Sequence, residues 1–335
     1  MSLKILIFSY RMVNMGCGMR GSLKWWVWFL IGLIIGGTLS SGIYYFLQSP
    51  VTAARLEYVG LIELSGTIAY SESPLTLISG NVLTPSEVEQ LVRQVSSDPT
   101  IKTVVLVINS PGGSAAASEE IYSMLKKLSE EKVVVSYITE YGASGGYYIA
   151  LPSREIIASP HALTGSVGAV SIILNFKELM DKLGVKAETF KSGRLKDVGS
   201  AWREITDEER SLLMSMIDSI AEVFKERVRE HRGTKIKDYD EVFTARPYTG
   251  VQALQAGIID GIGSIDDAVK RACQLAGIPE DSPRRWIRPR APSILELLLG
   301  GGTSEQAMKL NYEVLLMWPL PSILEPYQIT TFSYE

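Results

Sequence analysis

Histidine and cysteine are scarce in this sequence, with two of each among 335 residues. Two histidines make no histidine-rich metal site, and we predict neither a metal nor another cofactor. Basic residues do not exceed acidic ones, since 33 lysines and arginines face 37 aspartates and glutamates, a net charge of −4. No basic stripe is interleaved with aromatic residues, so the composition argues against a nucleic-acid partner.

Charge is absent from one long stretch, residues 25–47. This stretch is apolar, has aromatic residues at both ends and matches the roughly 20 residues needed to cross a bilayer. We predict a transmembrane helix over 25–47 that binds membrane lipid. The alternative is a cleaved signal peptide, for which the small residues at 39–42 offer a processing site, but the apolar run exceeds a typical signal-peptide core.

Basic residues flank this stretch unequally. Four of them precede it, and the next one after it is Arg55. Positive charge favours the cytoplasmic side of a membrane. The expected arrangement is a cytoplasmic tail over 1–24, a single pass through the cell membrane, and an extracytoplasmic domain after it. Cys17 and Cys273 would then lie on opposite sides, which excludes a disulfide between them.

Strand-like and helix-like segments alternate along residues 48–277. Continuous β-branched runs at 103–108 and 133–138 are typical of strands buried on both faces. Capping boxes begin at Thr84 and Thr206 and predict helix starts. This alternation predicts an α/β domain with a largely parallel sheet.

Other segments complete the expected order. Further strands are predicted at 156–159, 167–174 and 186–190, and further helices at 176–183, 249–256 and 265–276. Proline and glycine interrupt residues 278–335. That region is interpreted as an extended C-terminal tail, with a final strand and helix packed on the domain as the equal alternative.

Ser144 lies in the glycine-rich turn GASGG at 142–146, between a predicted strand and a predicted helix. Small neighbours there let a peptide backbone approach the hydroxyl. A serine nucleophile needs a base, and His161 and His231 are weak candidates because a triad also requires a buried, oriented carboxylate. No histidine follows His231, which argues against the α/β-hydrolase arrangement. A lysine can serve instead if burial keeps it neutral.

Four motifs occur in a fixed order: NSPGGS at 109–114, GASGGYYI at 142–149, LTGS at 163–166 and KSGRLKD at 191–197. Together they closely resemble the short form of the signal peptide peptidase A family, over residues 60–276. The resemblance implies a Clp/crotonase-like fold of repeated β-β-α units, preceded by one membrane anchor.

The same resemblance implies roles for five residues. Ser144 corresponds to the nucleophile and Lys196 to the general base of a Ser-Lys dyad. Ser166 corresponds to the hydroxyl that orients the lysine. The backbone N–H groups of Gly113 and Gly145 correspond to the oxyanion hole, an arrangement that stabilises a tetrahedral intermediate by several kcal/mol.

The resemblance also implies an assembly and a substrate class. A chain with one copy of each motif is expected to form a ring-shaped homo-oligomer in which adjacent protomers supply Ser144 and Lys196. The expected substrates are remnant signal peptides and other apolar segments, and the tail at 278–335 is a candidate for trimming in a neighbouring site.

Three alternatives stay open. The nearest is a related membrane Ser-Lys protease that cleaves a stomatin-like partner. A crotonase-like acyl-thioester enzyme would use similar paired N–H donors. A catalytically silent scaffold would catalyse no reaction and would only assemble membrane partners. The charge-free stretch and Lys196 argue against the thioester enzyme, and the presence of both Ser144 and Lys196 argues against the scaffold.

Overall fold

The computed structural model describes residues 27–38, 40, 57–71, 81–289 and the backbone of 315–317. The chain divides into two units, Met1–Arg55 and Leu56–Glu335. In the first unit, residues 27–38 are helical and their side chains are exposed. No helix within the described residues is both long and apolar enough to span a bilayer. Both ends of the predicted 25–47 helix lie outside those residues, so the anchor stays a prediction.

The second unit is built on an eight-stranded sheet whose continuous path runs β10-β7-β6-β4-β1-β11. Every pair along this path is parallel. Two short strands extend it, because β8 pairs parallel with β6 and β9 pairs antiparallel with β8. The strands are β1 Tyr58–Ser65, β4 Ile101–Ser110, β6 Val133–Ala143, β7 Glu155–Ala158, β8 Leu163–Gly165, β9 Pro247–Thr249, β10 Gly261–Ile262 and β11 Arg284–Ile287. The predicted α/β class with a largely parallel sheet is confirmed.

The second sheet has four strands, one of which contains Gly113, a residue of the predicted oxyanion hole. Its order is β12-β5-β2-β3, with β2 parallel to both β3 and β5 and with β12 antiparallel to β5. Its strands are β2 Thr67–Ile68, β3 Val82–Leu83, β5 Gly112–Ser114 and β12 Leu315–Met317.

Helices cover the main sheet on both faces, as a parallel sheet requires. Alternate residues of β4 show this directly, since Val104 and Leu106 belong to one buried cluster and Val105 and Val107 to the other. The first cluster lies under α1, α2, α3 and α5, and the second lies under α8. The helices are α1 Pro85–Ser97, α2 Ala115–Glu131, α3 Gly145–Ala150, α4 Lys177–Leu183, α5 Asp207–Arg232, α6 Tyr239–Val242, α7 Gly250–Ala256 and α8 Ile265–Ala276.

Short sequence motifs correctly predicted where two of the helices begin. The Thr84 hydroxyl accepts from the N–H of Glu87 at the start of α1. At α5 the capping box is complete, because Thr206 and Glu209 each cap the other's backbone N–H. These contacts satisfy N–H groups that the helix itself leaves unpaired.

Two predicted strands are absent. Residues 167–174 contain only a single bridge at Val170, and residues 186–190 have no regular structure. Val167 is buried in the core, but Ile172, Leu174 and Phe190 are exposed, Phe190 at 92%. A strand forms only where a neighbour accepts its hydrogen bonds, and among the described residues neither segment is paired beyond that one bridge. Farther on, β11 joins β1, which supports the packed-strand alternative for 284–287.

Gly257 ends α7 and Gly277 ends α8, both with left-handed φ, 81° and 69°. A Cβ on Gly257 would lie 1.8 Å from the Lys235 carbonyl oxygen, whereas a Cβ on Gly277 would meet nothing within 4 Å. We expect Gly277→Ala to lower the free energy of unfolding by about 1 kcal/mol, the left-handed cost alone. Gly257→Ala should cost about 3 kcal/mol or more, since backbone must also move. Paired urea melts measure the difference, and equal losses would contradict it.

Candidate active site

Ser144 lies in the tight turn where β6 ends and α3 begins. Its φ is 54°, a conformation that non-glycine residues seldom adopt. The turn is held by hydrogen bonds, because the Ser144 N–H donates to the Gly165 carbonyl at 2.8 Å and its carbonyl accepts from Tyr148 at 2.9 Å. The residue is 2% exposed. Strain maintained this way is typical of a functional position.

Gly113 and Gly145 lie side by side, although 32 positions separate them in sequence. A Cβ built on Gly145 would lie 3.3 Å from the Gly113 nitrogen and 3.1 Å from the Gly112 Cα. A Cβ on Gly113 would lie 2.0 Å from the Ile68 carbonyl oxygen, since β5 runs against β2 there. Only glycine fits at these two positions without moving backbone. The structure thus brings together the two glycines predicted to form an oxyanion hole.

Ser166 follows the strand that pairs with the end of β6. In that pairing Ala143 lies opposite Gly165, so Ser144 and Ser166 leave neighbouring strands at the same level. Ser166 also has a left-handed φ, 53°, and its N–H donates to the Arg246 carbonyl at 3.1 Å. Ser144, Ser166 and the two glycines therefore form one cluster at the end of the sheet.

Lys196 stands apart from this cluster. It is exposed, in a turn closed by the hydrogen bond from its own N–H to the Gly193 carbonyl at 3.1 Å. Within the described residues, no hydrogen bond joins its side chain to Ser144 or Ser166. One chain alone does not bring the predicted base to the predicted nucleophile.

Neither histidine takes the place of that base. The His231 Nε2 lies 2.8 Å from the Tyr122 hydroxyl, in the interface between α5 and α2. Burial lowers the pKa of His231, so its ring is neutral near pH 7. His161 is exposed in the turn before β8. Within the described residues, no hydrogen bond joins either histidine to Ser144.

Polar contacts under α3 were not predicted from the sequence. The Tyr147 hydroxyl donates to the Ile258 carbonyl at 2.7 Å, and the Tyr148 hydroxyl donates to Glu119. Arg227 donates in turn to Glu119 at 3.0 Å. Burial raises the pKa of both tyrosines, which keeps them protonated as donors. These contacts fix α3 and with it the turn of Ser144. In the sequence, the only indication of them is Glu119, an acidic residue on the face of α2 that is turned toward α5.

A strand from the C-terminal region pairs with β5, the strand that contains Gly113. Leu316 in β12 lies opposite Gly113, and β12 runs antiparallel to β5. A backbone strand can therefore lie along Gly112–Ser114 at the mouth of the cluster. Among the described residues, no group of three or more histidine, cysteine or acidic side chains is placed to hold a metal ion.

Comparisons with known proteins show what this chain is similar to. The model of peptidase family S49 matches residues 126–279. A putative protease of Synechocystis is 36% identical over 204 residues, which are 61% of this chain and 74% of that protein. A putative signal peptide peptidase of Enterococcus faecium is 34% identical over 179 residues, covering 53% of this chain and 52% of that protein.

A solved structure of a membrane-bound stomatin-specific protease is 17% identical, with a TM-score of 0.40, and the alignment covers 71% of this chain and 99% of that one. The chain spans between 37% and 74% of the length of six relatives named as proteases. The resemblance drawn from the four motifs is confirmed, and the chain belongs to peptidase family S49, a family of serine peptidases.

Proposed function

We propose that this protein is a membrane-anchored serine endopeptidase that hydrolyses apolar peptides, with Ser144 as nucleophile and Lys196 as general base. The observation that carries the proposal is the strained Ser144 turn, placed against the adjacent N–H groups of Gly113 and Gly145. A serine beside two converging backbone donors is the arrangement that acyl transfer requires.

The chemistry follows from these groups. The Ser144 hydroxyl attacks the scissile carbonyl while the neutral Lys196 amine accepts its proton. The N–H groups of Gly113 and Gly145 hold the oxyanion, and the protonated lysine then gives its proton to the leaving amine. Water, activated by the same lysine, hydrolyses the acyl-enzyme. Ser166 donates or accepts a hydrogen bond that orients the lysine.

We further propose that the dyad is completed between protomers of a homo-oligomer. A lysine becomes a base near neutral pH only when it is desolvated, and Lys196 is exposed in a single chain. The segment before it exposes several large apolar side chains, among them Ile172, Leu174 and Phe190. A large exposed apolar surface is typical of a protein interface. Covering it with a second copy would also bury the lysine.

Peptide substrates fit the side of β5 on which β12 pairs. The antiparallel pairing of β12 with β5 is the pairing that an extended peptide would make on binding. The charge-free stretch at 25–47 supports a membrane anchor, which would place the site close to apolar segments released in the bilayer. We therefore favour remnant signal peptides as substrates, over the C-terminus of a stomatin-like partner.

The test is a substrate panel with the full chain in detergent. It contains a signal-peptide-like apolar peptide, a charged peptide of equal length, an apolar C-terminal peptide of a stomatin-like protein and an acyl-thioester. We expect hydrolysis of the signal-peptide-like peptide at least about tenfold faster than of the others, since each buried methylene contributes about 0.8 kcal/mol. The Ser144→Ala variant is the matched control for contaminating proteases.

Each other outcome has a definite meaning. Preference for the stomatin-like peptide would transfer the proposal to the partner-specific protease. Turnover of the thioester alone would favour the acyl-thioester enzyme. An assembled wild-type protein that hydrolyses nothing would contradict peptidase activity.

A further inference from the structure

The loop that carries Lys196 has little packing of its own. Residues 191–196 are all exposed, and the loop is closed by short-range turns, among them the hydrogen bond from Ser200 N–H to the Asp197 carbonyl at 3.0 Å. Arg194 also pairs with Glu208 on α5, but both side chains are exposed, and such a surface ion pair adds little rigidity. A general base must nevertheless be held to within a fraction of an ångström. Some contact outside the loop has to supply that rigidity.

Arg203 makes that contact. Its Nε donates to the Asp197 carboxylate at 2.9 Å, and its Nη2 donates to the Asp197 main-chain carbonyl at 3.0 Å. Asp197 is the residue directly after Lys196. One guanidinium therefore holds both the side chain and the backbone of the position beside the base.

The same guanidinium is attached to the start of α5. Arg203 donates from Nη1 to Glu209 at 2.8 Å, and Nη2 contacts the other oxygen of that carboxylate. Glu209 also accepts from the Thr206 N–H at 3.0 Å, as part of the capping box. The 26-residue α5 is thus the rigid element to which the loop is fixed.

Burial and charge show that the contact of Arg203 with Asp197 and Glu209 is a specific part of the fold. The side chains of Asp197 and Glu209 are 13% and 3% exposed. The hydrogen bonds from Arg203 hold the pKa of both carboxyls below the usual range, and Lys191, 2.5 Å from Asp197, adds to this for Asp197. Both carboxylates therefore remain charged throughout the neutral range.

We propose that Arg203 is a positioning residue for Lys196, an inference that rests on the proposed function. Its three side-chain nitrogens donate in a planar fork to two carboxylates and to the main-chain carbonyls of Asp197 and Glu204. A lysine at this position has one ammonium and cannot reproduce that geometry. Without these hydrogen bonds, the Lys196 amine can still accept a proton but is no longer held in position.

The experiment compares Arg203→Lys with Arg271→Lys. Arg271 makes a similar bidentate pair, with Glu155 at 2.7 and 2.6 Å, but lies on α8. We expect Arg203→Lys to lower kcat about 10- to 100-fold with KM changed less than about threefold. Arg271→Lys should match wild type in both kcat and KM.

A second variant guards against misfolding. Asp197→Asn removes the charged partner from the loop but leaves the Glu209 cap of α5 in place, and it should lower kcat about tenfold with KM little changed. Light scattering checks assembly. Wild-type kcat in an assembled Arg203→Lys and Asp197→Asn, or a rise in KM in place of the loss in kcat, would overturn the positioning role. Failure of the proposed function is separate, because Lys196→Ala would then stay active whatever Arg203 does.

Discussion

Co-assembling Ser144→Ala protomers with Lys196→Ala protomers is expected to restore peptide hydrolysis that neither variant has alone. Each single substitution should lower kcat by about 10⁴-fold or more, because loss of a nucleophile or of its base removes covalent catalysis. In a shared dyad, however, an intact serine from one variant meets an intact lysine from the other. A mixed ring therefore contains complete sites.

The size of the recovery can be stated. With equal amounts and random order, a site has an intact serine in half of the cases and an intact neighbouring lysine in half, so about a quarter of the wild-type rate is expected. Co-expression with two different tags and sequential affinity purification isolates rings that contain both variants. Hydrolysis of the apolar peptide is then measured per site.

The matched control replaces the Lys196→Ala partner with the double variant Ser144→Ala, Lys196→Ala. That mixture contains no intact serine and should stay inactive. If mixed rings of the two single variants are also inactive, the dyad is not shared between protomers as proposed. The exposed position of Lys196 in one chain is the structural reason to expect recovery.

Sequence was most informative where the signal is local. The helix start at Thr84, the complete capping box of Thr206 and Glu209, and the glycine ends of α7 and α8 depend on residues a few positions apart. The turn of Ser144 is local too, since glycines on both sides permit it. Such features can be predicted because one short segment contains all the atoms involved.

Features made by distant residues were harder. The fork of Arg203 depends on a loop and a helix meeting, and the arginine alone looks like any charged surface residue. The absent strands at 167–174 and 186–190 show the converse error, because alternation of apolar residues predicts burial without saying what provides it. Among the described residues, Val167 is buried by the core whereas Ile172, Leu174 and Phe190 stay exposed.

The second large effect is expected at the glycine pair. Gly113→Ala places a methyl 2.0 Å from the Ile68 carbonyl oxygen, which is backbone and cannot rotate away. Strand β5 must therefore shift and carry the Gly113 N–H off its target. Loss of one oxyanion donor lowers kcat about 10²- to 10³-fold, with KM little changed because the donor acts on the transition state.

Gly145→Ala separates this effect from misfolding. Its methyl meets the Ser118 Oγ at 2.5 Å, so Ser118→Ala relieves the closest contact, while the Gly112 Cα at 3.1 Å and the Gly113 nitrogen at 3.3 Å remain. The double variant should melt closer to wild type than Gly145→Ala does, because only the closest contact has gone. Its kcat should stay low, since the two N–H donors are still forced apart. Recovery of both kcat and stability would show that Gly113 and Gly145 do not form the oxyanion hole. Recovery of stability alone would assign their two N–H groups to binding of the oxyanion.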